Sequence, residues 1–125
     1  MQRDNLIVLA VDDDIINLKL LKSMLKKSGK VKELIEAKNG SDAIGKLKSR
    51  DDIDLILLDI IMPIMGGIDM LKVVRADDNL RQLPIIVLTT DETKKVEALE
   101  CGANGFLMKP IRNEELLKKI ATVIL

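Results

Sequence analysis

The chain has 125 residues, enough for one domain with a real core and too few for two. Lys plus Arg and Asp plus Glu each total 20, so the net charge is zero and nothing in bulk attracts nucleic acid or an anionic membrane. Histidine is absent and Cys101 is the only cysteine, which excludes histidine-based triads, Cys- or His-based zinc sites and a disulfide framework.

"LIVLAV" (6–11) reads as a first buried strand. After it, Leu18, Leu21 and Leu25 recur at helical spacing while Lys19, Lys22 and Lys26 share another face, which predicts a helix over 14–28 stopped by Gly29. Those lysines read as solvated surface. A weaker strand, "KELIEA" (32–37), precedes the helix "SDAIGKLKS" (41–49). "DLILLDI" (54–60), "PIIVLTT" (84–90) and "GFLM" (105–108) continue the strands. Helices follow at 67–77, at 93–102 and at 113–125, the last with Leu116, Ile120 and Val123 on one stripe.

Five βα units in order predict an α/β fold: a single-domain, doubly wound (βα)5 flavodoxin-like fold with a parallel five-stranded sheet in the order 2-1-3-4-5. No linker, repeat or low-complexity stretch interrupts it, so residues 1–125 are expected to form one domain with no output domain in this chain. No apolar run approaches the roughly 20 residues of a membrane span, and "MQRDN" lacks the shape of a signal peptide, so a reducing cytoplasm is the expected location.

Asp59 stands directly after "LILL", where an isolated buried carboxylate is expensive unless paired or metal-bound. Polar groups end the other apolar runs too: Asp12, Asp13 and Asp14 after the first, Thr89 and Thr90 after the fourth, Lys109 after the fifth. In a parallel sheet with right-handed crossovers, all C-terminal strand ends lie along one edge, so these residues are expected to share a pocket at the switch point of strand order. Several carboxylates facing one lysine repel each other, and a hard dication such as Mg²⁺ held by oxygens relieves that. The pocket then becomes able to receive phosphate, with a carboxylate nucleophile opposite a lysine and a threonine hydroxyl.

Taken together, "VDDD" (11–14), "LLDIIMPIMGG" (57–67), "IIVLTTD" (85–91) and "CGANGFLMKP" (101–110) make the chain resemble the receiver domain of two-component response regulators over residues 5–124. The resemblance implies a phosphorylatable signalling switch and not a conventional enzyme, although it would catalyse its own phosphorylation and dephosphorylation. Asp59 would accept a phosphoryl group from a phosphohistidine of a histidine kinase or histidine phosphotransfer protein. Asp13, Asp59 and the backbone carbonyl of Ile61 would bind Mg²⁺ directly, with Asp12 acting through water. Thr89 and Lys109 would contact phosphoryl oxygens, Lys109-Pro110 would be a cis bond, and Phe106 would turn with Thr89 when the site is filled. A downstream protein would dock on the surface of residues about 91–120, with Thr93, Lys94, Lys95, Glu115, Lys118 and Lys119 facing it. The expected partners include neither nucleic acid nor membrane, and the expected state is a monomer or a phosphorylation-dependent dimer.

Some residues carry plainer readings. Asp14 reads as a helix N-cap, Cys101 as a small packed side chain, and Met62 and Met65 as gap fillers near the loop. Thr90 is larger than the residue usual beside Thr89 in the family, which restricts access, and Ile61 is apolar where many relatives are polar, which is expected to shield the acyl phosphate from water. Ile60-Ile61 also differs from the Trp-Asn pair typical of chemotaxis regulators, while Asn17 resembles receivers of hybrid kinases and phosphorelays. Three rival readings remain: a haloacid-dehalogenase-type small phosphohydrolase with Asp12 as nucleophile, a flavin binder, and a pseudo-receiver that only binds partners. The first expects Thr or Val at Ile16 and a longer chain; the second expects a Ser/Thr/Gly phosphate loop where three aspartates stand. The third does not need an intact Asp12, Asp13, Asp59, Thr89 and Lys109.

Overall fold

The computed structural model describes residues 4–124. Leu125, expected to end the last helix, and residues 1–3 of the expected domain lie outside the described residues. Chain order is β1 (Leu6–Val11), α1 (Ile15–Ser28), β2 (Val31–Ala37), α2 (Gly40–Ser49), β3 (Leu55–Asp59), α3 (Gly67–Ala76), β4 (Ile85–Thr89), α4 (Lys95–Glu100), β5 (Gly105–Met108) and α5 (Asn113–Ile124). All strand pairs are parallel, as the alternating pattern predicts, and the order is β2-β1-β3-β4-β5, that of the expected flavodoxin-like fold.

Near-continuous apolar strands place one core on each face of the sheet. Leu9, Val11, Ile56, Leu58 and Val87 point to the side covered by α2, α3 and α4. Val8, Ala10, Leu55, Leu57 and Leu88 point to the side covered by α1 and α5. This is the period-two alternation of a strand buried on both faces. Helix α1 is 14 residues long, marginal by itself in water. Burial of Leu18, Leu21 and Leu25, about 1.5–3 kcal/mol each, is what holds it in place. Gly29 ends it at φ 71°, and the Gly29 N–H donates to the Lys26 carbonyl. In α5, Leu116 and Ile120 are buried and Val123 is half-buried.

The expected helix over 93–102 divides. Asp91 accepts the Thr93 N–H at 3.0 Å, an Asx-type contact that tightens Glu92–Lys94 into a 3₁₀ turn before α4 begins. Only Ala98 of α4 is buried, so this helix has the weakest hold on the core. Its far end is braced by Arg75 of α3. The Arg75 guanidinium donates to the carbonyls of Gly102 (3.0 Å), Arg81 (2.9 Å) and Leu83 (2.8 Å) and to Asn104 Oδ1 (2.9 Å). Partial burial lowers its pKa, and no carboxylate joins the cluster, so Arg75 acts as a multi-point hydrogen-bond donor.

Candidate functional site

The C-terminal ends of β1, β3, β4 and β5 bring together residues distant in sequence. Asp12 follows β1, and its N–H donates to the Ala37 carbonyl at the end of β2 (3.0 Å). Its carboxylate, 3% exposed, accepts the Asp14 N–H at 2.9 Å and the Lys109 ammonium at 2.8 Å. Asp14 caps α1 by accepting the Ile16 N–H at 2.9 Å, as read from the sequence. Asp59 is the last residue of β3 and 8% exposed, with Lys109 Nζ 3.6 Å from its Oδ2. The exposed Asp13 completes the group: one oxygen each of Asp12, Asp13 and Asp59 lies within 4.8 Å of the others.

Thr89 ends β4 and is fully buried; its Oγ1 accepts the Asp91 N–H at 3.2 Å. Its carbonyl accepts the Lys109 N–H at 2.8 Å, which sets the root of the lysine beside the threonine. The Lys109-Pro110 peptide bond is cis. Phe106 pairs in register with Val87, two residues before Thr89 on the same sheet face, and is half-buried. Ile61, in the loop after β3, is 58% exposed, and Thr90 is exposed beside Thr89. Of the expected partner-facing residues, Thr93, Lys95, Glu115 and Lys118 are exposed, and Lys94 and Lys119 are half-buried. Cys101 is half-buried and free, and Met62 and Met65 pack against the core.

The cluster perturbs Asp59. Burial pushes its carboxyl up to about 6; Lys109 opposes this, Asp12 adds to it, the Ile61 N–H holds it down, and Asp13 raises it. An acid whose folded pKa lies above its unfolded one loses folding free energy as pH rises between the two values, here from 3.8 to about 6, and stays less stable above them. Asp59→Asn is therefore expected to stabilise the protein in EDTA by about 1–2 kcal/mol at pH 7, a gain that vanishes near pH 4. Urea midpoints measured across that range check it, and a variant no more stable than wild type at pH 7 would contradict it.

Two features of the β3–α3 loop went unread in the sequence. Ile64 adopts φ 68° with its side chain 85% exposed, a left-handed conformation that a β-branched residue resists. Ile64→Asn is expected to raise stability by roughly 1 kcal/mol, read as a higher urea midpoint. Gly67 packs against the backbone of Asp59 and Ile60: a Cβ there would sit 2.7 Å from Ile60 Cα and closer still to the Asp59 carbonyl oxygen. The adjacent glycines of "MGG" are the only local sign of this close approach.

The profile of the response regulator receiver domain matches residues 8–121. Chemotaxis protein CheY1 of Helicobacter pylori is 34% identical over 119 residues, covering 94% of this chain and 95% of that protein. The crystal structure of chemotaxis response regulator CheY4 of Vibrio cholerae superposes with a TM-score of 0.85 at 36% identity, covering 94% of this chain and 98% of that one. The receiver domain of a sensor histidine kinase from Pseudomonas aeruginosa, with a magnesium ion coordinated in its active-site cleft, superposes with a TM-score of 0.85 at 27% identity over 96% of this chain and 98% of that one. With its strand order, its acid cluster and a matching profile over nearly its whole length, the chain belongs to the receiver domain family of two-component response regulators.

Proposed function

We propose that the protein is a phosphorylatable switch in which Asp59 accepts a phosphoryl group from a phosphohistidine of a histidine kinase or histidine phosphotransfer protein. The observation that carries this reading is the position of Asp59: nearly buried at a strand end, grouped with Asp12 and Asp13, and 3.6 Å from the Lys109 ammonium. An Asp59 oxygen attacks phosphorus, an O–P bond forms, the N–P bond of the donor breaks, and the donor imidazole takes the electron pair. A pKa near 6 leaves Asp59 mostly ionised, and so nucleophilic, at pH 7. Lys109 pairs with a phosphoryl oxygen in place of part of its contact with Asp12 and Asp59. Thr89 Oγ1 accepts from Asp91, which leaves its own O–H to donate to a second phosphoryl oxygen.

When all three are ionised, three carboxylates against one ammonium leave two uncompensated negative charges (3 − 1), and the donors are all oxygens. That set fits a hard dication, Mg²⁺, held by Asp13, Asp59 and the Ile61 carbonyl, with Asp12 acting through water. Bound there, Mg²⁺ would offset negative charge on both the carboxylates and the incoming phosphoryl oxygens. The haloacid-dehalogenase reading needs Asp12 as nucleophile, whereas both Asp12 oxygens are already engaged, one by the Asp14 N–H and one by Lys109.

Movement of Thr89 toward the phosphoryl group would let Phe106 turn inward and shift the surface of residues about 91–120, where α4 holds to the core through one side chain. The output is altered binding of a downstream protein, by a monomer or a phosphorylation-dependent dimer. One free cysteine suits a reducing cytoplasm, and among the described residues no helix is long and apolar enough to cross a membrane. Intact mass after incubation with acetyl phosphate tests the reading. A Mg²⁺-dependent gain of one phosphoryl group in wild type, absent in Asp59→Asn, is expected. No gain in wild type, together with no Mg²⁺-dependent spectral response to beryllofluoride, would overturn it.

A further inference from the structure

Residues 15–32 carry six lysines and no carboxylate, in a chain whose net charge is zero. Lys19, Lys22, Lys26 and Lys27 of α1 are all exposed and make no ion pair with any described residue. Two of them, Lys22 and Lys26, stand on the rim of a groove of about 290 Å³ between α1 and β2, the edge strand of the sheet.

The opposite rim is shaped by a bulge. Strand register passes from Leu6 opposite Val31 to Ile7 opposite Glu33, so Lys32 is the extra residue of β2. A bulge breaks the pairing of an edge and re-aims the side chain at the break. Lys32 lines the groove with Lys22 and Lys26, giving three cations around the half-buried Val31 and Leu34, with the core residue Leu25 beneath. Glu33 is the one carboxylate in the lining, and Arg50 holds it with two hydrogen bonds, 2.8 and 3.0 Å long.

We infer that this groove docks a short acidic segment of a partner protein, one that carries apolar side chains among its carboxylates. Charge complementarity selects the acidic residues, since three lysines line the groove and its one carboxylate, Glu33, is already held by Arg50. The apolar floor selects a peptide over a lipid surface or a nucleic acid, because a broad polyanion would meet the rim and leave the half-buried Val31 and Leu34 uncovered. The groove lies at the N-terminal end of β2, and the acid cluster lies at the C-terminal strand ends. Docking here therefore does not occlude Asp59, and the partner is held whether or not Asp59 carries a phosphoryl group.

The probe is a fluorescein-labelled peptide of about ten residues alternating glutamate and leucine, roughly 33 Å when extended. It is titrated with the full chain by fluorescence anisotropy and mapped by backbone amide chemical shifts. Binding is expected to perturb residues 22–34 and to weaken about tenfold or more in Lys22→Glu/Lys26→Glu/Lys32→Glu. The glutamine triple variant should lose less, and it carries the same test should the charge-reversed protein fail to fold. Lys48→Glu/Lys72→Glu, on α2 and α3 of the other face, should bind like wild type, and an all-glutamate peptide should bind more weakly. Unchanged affinity in the 22/26/32 variants, or shifts confined to other elements, would overturn the inference. So would equal binding of the all-glutamate peptide, or phosphatidylserine vesicles that capture the protein as well as the peptide does.

Discussion

Replacing Lys109 by methionine is expected to lower folding stability by about 3 kcal/mol at pH 7 in EDTA, one of the largest effects of any single substitution here. The ammonium is the only cation within 4 Å of Asp12 or Asp59 among the described residues, and it bonds a carboxylate that is 3% exposed. Removing it leaves Asp12 with the Asp14 N–H alone and lets Asp59 rise further above about 6, because Lys109 is the nearest charge holding it down. Stability is then lost as pH rises through the interval between the unfolded and folded values of Asp59, so the deficit should shrink as pH falls toward 4. Urea unfolding between pH 4 and 8 reads this directly. Repeating it with added Mg²⁺ should recover more stability in the variant than in wild type, because a bound dication meets a more negative site. A pH-independent deficit that Mg²⁺ leaves unchanged would mean that Lys109 matters for packing alone.

Gly67→Ala should be at least as damaging. Alanine gains up to about 1 kcal/mol in helix propensity over glycine, yet its Cβ would press on the backbone of Asp59 and Ile60, which cannot swing aside as a side-chain tip does. Overpacking of that kind costs typically 1–3 kcal/mol, and here also displaces Asp59, the proposed phosphoryl acceptor. The expected result is a loss near 3 kcal/mol in urea unfolding and slower phosphoryl incorporation from acetyl phosphate. Gly45→Ala is the control. It lies inside α2 with nothing within 4 Å of the added Cβ, so the same change should stabilise by about 0.5–1 kcal/mol. Equal effects at both positions would refute the close-contact account.

The doubly wound sheet was legible because strands buried on both faces must be continuously apolar, and "LIVLAV" and "LILLD" have no other economical use. The parallel sheet implied the convergence of Asp12, Asp13, Asp59, Thr89 and Lys109 on one edge, and the flavodoxin-like order expected by analogy is the one observed. Distances did not follow. That Lys109 sits closer to Asp12 than to Asp59 depends on side-chain packing that no spacing encodes. The break between the 3₁₀ turn and α4 was hidden because the Asx contact of Asp91 competes locally with a helix whose residues look uniformly favourable. Arg75 was invisible for a related reason: its partners are backbone carbonyls and one asparagine, which leave no complementary charge in the sequence. β2 starts at Val31, which pairs with Leu6 before the bulge at Lys32, and alternation alone cannot locate such a bulge.

Lys109 is delivered after the last of the described strands, and the acids it neutralises come from the ends of the first and third. A ribosome-bound chain that has not yet released residues 105–110 holds Asp12 and Asp59 without their counter-charge. On the proposed reading, competence to take up a phosphoryl group would come with completion of the sheet, and a half-folded copy, however abundant, would stay deaf to a donor.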